Sequence, residues 1–322
     1  MIQTEITRRL NLKYPLIGGT MMSLSRADFV AAISNAGGLG ILASSIYKTR
    51  EEFAAALEKS RSLTDKPFAV NINLYPGMNS IAPDVYLEAM IEAGVKIVET
   101  SGHSVSEDLS GKFQAAGMTW IHKCAGLRYA KKARQLGADI ITVVGQENGG
   151  TTGKMDIGTM VLVPAVVDAI DAPVIGGGGV SDGRGVLALL ALGAQGVIMG
   201  TRLLATRECP IHDNLKQALL QADELDTMLV LRSIGASLRV WANTAARKCS
   251  ELENEGGDFE EILDMVAGNK ARQMYDNGDV EAGVISCGQG IGLVHDIPTV
   301  RELFDRIMTE AEQTGRSIPV TA

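Results

Sequence analysis

The sequence predicts an α/β protein, a (β/α)8 TIM barrel with a mainly helical cap inserted near its end. Three observations point there. Short apolar runs alternate with helix-period segments along most of the chain, as repeated βα units around a parallel sheet require. Eight strand-like runs can be read in this way, and the last two each end in a glycine loop, PVIGGGGVSDG and GVIMGTRLL. The length, 322 residues, holds one barrel of roughly 200 to 250 residues with a further segment to spare. A doubly wound open sheet is the alternative topology for the same alternation.

The elements follow in order. PLIGG (15–19) is the first strand, and 26–38 reads as a helix stopped by Gly37 and Gly38. LGILAS is the second strand, and Thr49 and Glu52 have the spacing of a capping box at the start of the next helix. FAVNINL is the third strand, 84–93 a helix, and KIVET the fourth strand. SVSEDLSGKFQAAG is helical, MTWIHKC is the fifth strand, and LRYAKKARQLG is the helix after it. DIITVVG, the sixth strand, leads through the polar loop QENGGTTGKMDIG to MVLVPAVVDAI, read as helical despite its valines. PVIGG and GVIMG complete the eight.

After Arg207 the pattern changes. HDNLKQALLQADEL, DTMLVLRSIGASLRVWANTAARKCSELE and FEEILDMVAGNKARQMYD read as helices with few strand signals. The expected division is therefore a barrel from 1–209 plus 290–322 and a cap from 210–289 over its mouth. PTVRELFDRIMTEAEQ supplies the last barrel helix, with Pro298 at its start and Val300, Leu303, Phe304 and Ile307 on one face. The tail GRSIPVTA reads as loose.

Composition excludes several classes. A formal charge of -8 without a dense Lys/Arg run argues against a nucleic-acid surface. The N-terminus has no apolar h-region and no long apolar stretch follows, so neither export nor membrane insertion is expected. Cys124, Cys209, Cys249 and Cys287 form no CxxC pair and have no histidine at metal-ligand spacing. They read as reduced thiols of a cytoplasmic protein, and no metal is expected.

In a parallel barrel the chemistry sits where the strands end. The run that includes Gly177, Gly178 and Gly179 leaves no Cβ over the backbone, so its N–H groups can approach a phosphate. Gly200 and Thr201, after the last strand, add backbone donors and a hydroxyl beside it. A tight strand-to-helix turn is the competing reading. The spacing matches neither GxxxxGK[ST] nor an N-terminal dinucleotide fold. Gly18, Gly19, Thr20 and Met21 follow the first strand, where glycines let a flat ring lie on the main chain or simply turn the chain tightly. Asn71 and Asn73 point the same way along the third strand and offer donor and acceptor together, which suits a heterocycle; solvent-facing asparagines are the rival reading, weakened by the buried look of VNINL. Lys123 ends the fifth strand facing an anionic group, while His122 faces the opposite side and reads as structural. His103, in ETSGHS, faces the mouth in outline, as a base or as an exposed side chain.

The motifs PLIGGTMM, AGGLGIL, PFAVNI, IHKC, GQENGGTTG, GGGGVSDGRG and GVIMGTRLL together resemble the nitronate monooxygenase family, formerly called 2-nitropropane dioxygenases, over nearly the whole chain. The resemblance implies an FMN-dependent (β/α)8 barrel. It implies phosphate held by Gly177, Gly178, Gly179, Gly200 and Thr201, and a ring lying along Gly19, Thr20, Met21, Asn73 and Gly149. Lys123 would lie near the N1/C2 carbonyl side of that ring.

The family loop runs GxExxGHxG, with the histidine acting on substrate; here the matching residue is Thr151. Threonine hydrogen-bonds but is no general base near neutral pH. The candidate catalytic residues are therefore Thr151, Lys123 and His103. The resemblance implies oxidation of a small alkyl nitronate by O2. Its rivals are an NAD(P)H-dependent flavin reductase of an enoyl thioester or quinone, a flavin-binding protein without turnover, and a flavin-free phosphate-binding lyase or isomerase. The expected partners are a small-molecule substrate, O2 or NAD(P)H, and a second copy of the chain in a homodimer.

Overall fold

The computed structural model describes residues 2–75, 80–102, 105–266 and 268–318. Eight parallel strands form one sheet. β1 (Leu16–Gly18), β2 (Gly40–Ala43), β3 (Phe68–Asn73), β4 (Ile97–Ser101), β5 (Thr119–Cys124) and β6 (Ile140–Val144) come first. The chain then passes a two-residue strand outside the barrel, β7 (Gly150–Thr151), before β8 (Val174–Gly177) and β9 (Gly196–Met199). The order β1-β9-β8-β6-β5-β4-β3-β2 closes on itself, because a parallel bridge joins Ile17 to Leu39 and Gly18 N–H donates to Leu39 O at 3.0 Å. The expected (β/α)8 barrel is therefore the observed fold, and the open sheet is not.

Two apolar layers hold it. Inside, Ile17, Ile41, Ala69, Ile97, Ile121, Ile175 and Ile198 pack with Ile6, Leu10 and Leu12 of the N-terminal segment. The helix Glu5–Leu10 thus closes the bottom of the barrel, tied there by Thr4 Oγ1–H to Gln195 O at 2.6 Å. Sequence reading missed this helix, which is short and starts with a Thr4/Thr7 capping box rather than the Ser/Thr…Glu/Gln pair. Outside, helix faces such as Phe29, Val30 and Ile33, or Leu303, Phe304 and Ile307, pack on the sheet. Each such side chain contributes roughly 1.5–3 kcal/mol when fully buried. The helices Gly183–Ala191 and Val300–Ser317 approach so closely that a Cβ on Gly183 would lie 2.4 Å from Ile307 O. The last helix runs to Ser317, further than expected, so Gly315 to Ser317 are helical rather than loose, and Pro298 stands just before its N-cap, Thr299. Thr49 caps its helix as expected, but Glu52 reaches back to Lys48 N–H rather than to the cap.

Between sheet and helices, Trp120 Nε1–H donates to Thr100 Oγ1 at 2.8 Å, and that hydroxyl lies 2.9 Å from His122 Nδ1. The Thr100 hydroxyl thus partners Nδ1, whereas the Nε2 atom of His122 is buried without a partner. His122 is structural, as its strand parity suggested. Burial lowers its pKa from 6.5 to about 4. The unfolded chain takes up that proton first, so the stability His122 contributes is complete above about pH 6.5 and is lost as pH falls towards 4. Urea unfolding at neutral pH and near pH 4 should differ by about 3 kcal/mol on this account. The variant His122→Gln should show a correspondingly flatter acid limb, and an equal slope in both proteins would contradict the assignment.

The segment between the barrel's last loop and its last helix departs from expectation. It has the helices Asp213–Leu219, Thr244–Asn254, Phe259–Met265 and Gly268–Asn277, but 226–243, read as helical, is a hairpin of β10 (Thr227–Val230) and β11 (Leu238–Trp241). Leu231 and Gly235 take positive φ in its turn, which breaks any helix there. β11 also pairs with β7, Leu238 opposite Thr151 and Arg239 opposite Gly150. Strand rather than helix wins because a barrel loop supplies the partner edge. Val230, Val240, Ala246, Cys249 and Ile262 form a small core of their own. No described helix is long and apolar enough to cross a membrane, and no group of metal-ligating side chains is found among the described residues.

Candidate active site

Alternation along the strands puts one polar layer above the apolar floor. Asn71 faces Glu99 in register, Asn73 faces Ser101, Ser101 faces Lys123, and Lys123 faces Thr142. Glu99 is the centre of this layer. Its Oε1 accepts from Asn71 Nδ2 at 2.7 Å and from Thr20 Oγ1 at 2.8 Å, and lies 3.6 Å from Lys123 Nζ. Asn71 Nδ2 also reaches Ser101 Oγ at 3.2 Å, and Asn73 Oδ1 accepts from Tyr75 N–H at 3.0 Å. Glu99 Oε2 and Thr142 Oγ1 are buried without a hydrogen-bond partner. Lys123 is thus paired with an anionic group, as its position suggested, but the anion belongs to the protein.

Across the barrel the glycine loops meet. Gly177 ends β8, and Gly178 and Gly179 take φ of +109 and +73, values that favour glycine. A Cβ on Gly178 would sit 2.5 Å from Thr159 Oγ1. That hydroxyl is fixed by the Glu147 carboxylate, which also accepts from Thr159 N–H and so caps the helix Thr159–Val167. Gly200 differs from these: a Cβ there would meet nothing within 4 Å, so the backbone opens onto free space. Thr201 Oγ1, next to it, accepts from Gly288 N–H at 2.9 Å. Arg202 follows, 2% exposed and held by Asp296 Oδ1 at 2.6 Å. Burial lowers its pKa to about 10, against the pull of Asp296, so it stays charged at neutral pH. Glycine loops and a hydroxyl beside open backbone form a cradle that suits a phosphate ester, while the Arg202 guanidinium is taken up by Ala205 O and Asp296.

The remaining candidates fall as follows. Gly19 N–H donates to Met199 O at 2.8 Å, which seals β1 against β9. Met21 is partly buried on the outer core, with its N–H on Ser25 Oγ. Gly149 lies under Gly288, where a Cβ would come within 2.6 Å of Gly288 N. Thr151 is exposed on β7, and its carbonyl accepts from Asn148 Nδ2 at 3.1 Å. His103 lies outside the described residues. Thr20 and Lys123 come together on Glu99, and Gly177, Gly178, Gly179, Gly200 and Thr201 come together at the cradle. Sequence reading missed Glu99 and Arg202. The first could have been found as a charged residue between Ile97 and Ser101 on an inward face; the second has no sequence signal, because its partner Asp296 is remote in the chain.

The nitronate monooxygenase family model matches residues 3–310. The (3aS,4S,5R,7aS)-5-hydroxy-7a-methyl-1-oxo-octahydro-1H-indene-4-carboxyl-CoA dehydrogenase of Rhodococcus jostii (strain RHA1) is 34% identical, with 96% of each chain covered. A probable nitronate monooxygenase of Staphylococcus haemolyticus (strain JCSC1435) is 30% identical over 73% of this chain and 77% of its own. Among solved structures, FabK from Thermotoga maritima superposes with a TM-score of 0.90 at 31% identity, covering 99% of both chains. With its barrel, its glycine cradle and a family match over almost its entire length, this chain is an oxidoreductase that belongs to the nitronate monooxygenase family.

Proposed function

We propose that the chain is an FMN-dependent oxidoreductase whose substrate is an acyl thioester. The observation that carries the cofactor is the cradle at Gly177–Gly179, Gly200 and Thr201, open only where Gly200 lacks a side chain, with Lys123 on the facing strands. Bound there, FMN supplies a two-electron acceptor or donor. The protein's own part is to hold the phosphate on backbone donors and to set Lys123 beside the ring. The domain reading fits this division, with 1–209 plus 290–322 holding the cofactor and 210–289 covering the substrate.

An acyl thioester is favoured because the dehydrogenase of a carboxyl-CoA compound is similar over 96% of both chains. Oxidation of a hydroxyacyl thioester to the ketoacyl compound would pass a hydride from carbon to the ring and release the hydroxyl proton to solvent; in reduction of an enoyl thioester, hydride would instead pass from NAD(P)H to the ring and on to the C=C bond, with a solvent proton completing the addition. A second reading, oxidation of an alkyl nitronate by O2, is favoured by Thr151. A nitronate is already an anion and needs no base where the side chain is a hydroxyl.

Anaerobic titration of the purified protein separates these. Loss of the flavin absorbance with a β-hydroxyacyl-CoA, or with NADPH followed by recovery on adding an enoyl-CoA, is expected. Loss with ethylnitronate alone would replace the thioester by the nitronate, and a colourless protein that takes up no FMN would sink both. The cradle has its own test. Gly200→Ala puts a methyl group into space that the protein leaves free, at a φ of -120 that alanine tolerates. Thermal stability should stay within about 0.5 kcal/mol, while FMN binding, measured by fluorescence titration, weakens about tenfold or more.

A further inference from the structure

Glu99 does something that the fold does not require. Its side chain is 0% exposed, whereas that of Lys123 is 20% exposed at the end of β5. A buried ion pair is on balance no more stabilising than apolar side chains of similar volume. The unpartnered Oε2 adds a desolvation cost. Two donors, from Asn71 and Thr20, and the Lys123 ammonium at 3.6 Å converge on Oε1, the arrangement of a carboxylate that only accepts. The Ile97, Ile121 and Ile175 floor shows that this barrel readily fills its interior with aliphatic side chains. A carboxylate one layer above them, aimed at the lysine of the site, is therefore explained by its action on that lysine.

We propose that Glu99 is a positioning residue that acts through Lys123. It fixes the ammonium at the mouth and offsets its charge, so that the pair presents a nearly neutral face to the cofactor where a lone lysine would present a full positive charge. The inference rests on the FMN reading above. Negative charge gained by the ring on reduction is then stabilised less than a lysine alone would allow, which keeps the reduction equilibrium low.

The test is Glu99→Gln, which keeps the size and hydrogen-bonding reach of the side chain and removes its charge. In the holoenzyme the reduction equilibrium should shift about tenfold or more towards the reduced form, about 30 mV for a two-electron couple. A role confined to folding would lower the melting temperature and leave the potential where it was, and that result would overturn the proposal. A second reading needs no cofactor. Competitive acetylation of the apoprotein at one mildly alkaline pH, read by mass spectrometry at Lys123, should be severalfold faster in Glu99→Gln, because the side chain is no longer held on the Glu99 carboxylate and meets the reagent more freely. An unchanged rate would show that Glu99 does not hold Lys123. Glu99→Asp retains the charge but withdraws it from Lys123; it should move both readings the same way by a smaller factor, and serves alone if Glu99→Gln does not fold. A protein that binds no FMN defeats the functional reading, while the acetylation result still decides for or against the pairing.

Discussion

Replacing Lys123 by methionine is expected to destabilise the protein by about 2–4 kcal/mol, because it leaves the Glu99 carboxylate buried without its counter-charge. Breaking a fully buried pair costs about 3–5 kcal/mol. The range is set lower here because Lys123 is one-fifth exposed, so water can partly replace it. Methionine retains the length of the stem, which separates the charge from the packing. Denaturant unfolding measures the loss, and the double variant Lys123→Met with Glu99→Gln should recover most of it, since neither charge then remains. Turnover should not recover. If Lys123 stabilises charge developing on the ring, kcat falls by about 10²–10³, as when a single preorganised donor is removed. A double variant that regained full turnover would assign Lys123 to the fold alone.

The other large effect concerns Thr151. On the nitronate reading, introducing histidine there is expected to raise turnover of neutral nitroethane by about 10²–10⁴, the usual contribution of a positioned general base, and to change turnover of ethylnitronate little. The contrast arises because the neutral compound must lose a carbon-bound proton and the nitronate has already lost it. Thr151 is exposed on β7, so histidine can be accommodated without opening the core. Steady-state rates with the two substrates, compared with those of the unaltered protein, give the answer. Equal and small changes for both would mean that position 151 does not face the reacting carbon.

Much of this architecture is legible in the sequence, because it is written in local patterns. Each of the eight barrel strands is an apolar run between turn residues, and the glycines that end β8 and β9 mark the cradle directly. The hairpin of β10 and β11 was hidden because its stability comes from pairing with β7, far away in the chain, and from Arg239, whose Nε donates to Gln146 O at 2.9 Å. Taken alone, LVLRSIGASLRVW has no feature that excludes a helix except Gly235. Glu99 was overlooked for a different reason: a charged residue near the end of a strand usually faces water, and its one sequence signal, a shared parity with Ile97, gains weight only from the register against Asn71.

The pairing of β7 with β11 has one more consequence. The loop that leaves the barrel after β6 is itself a strand in the neighbouring sheet, so the two bodies are stitched by main-chain ladder bonds as well as by side chains. A hinge that lifted one from the other would have to unzip that ladder, and amide exchange along Leu238–Trp241 should therefore be about as slow as in the barrel.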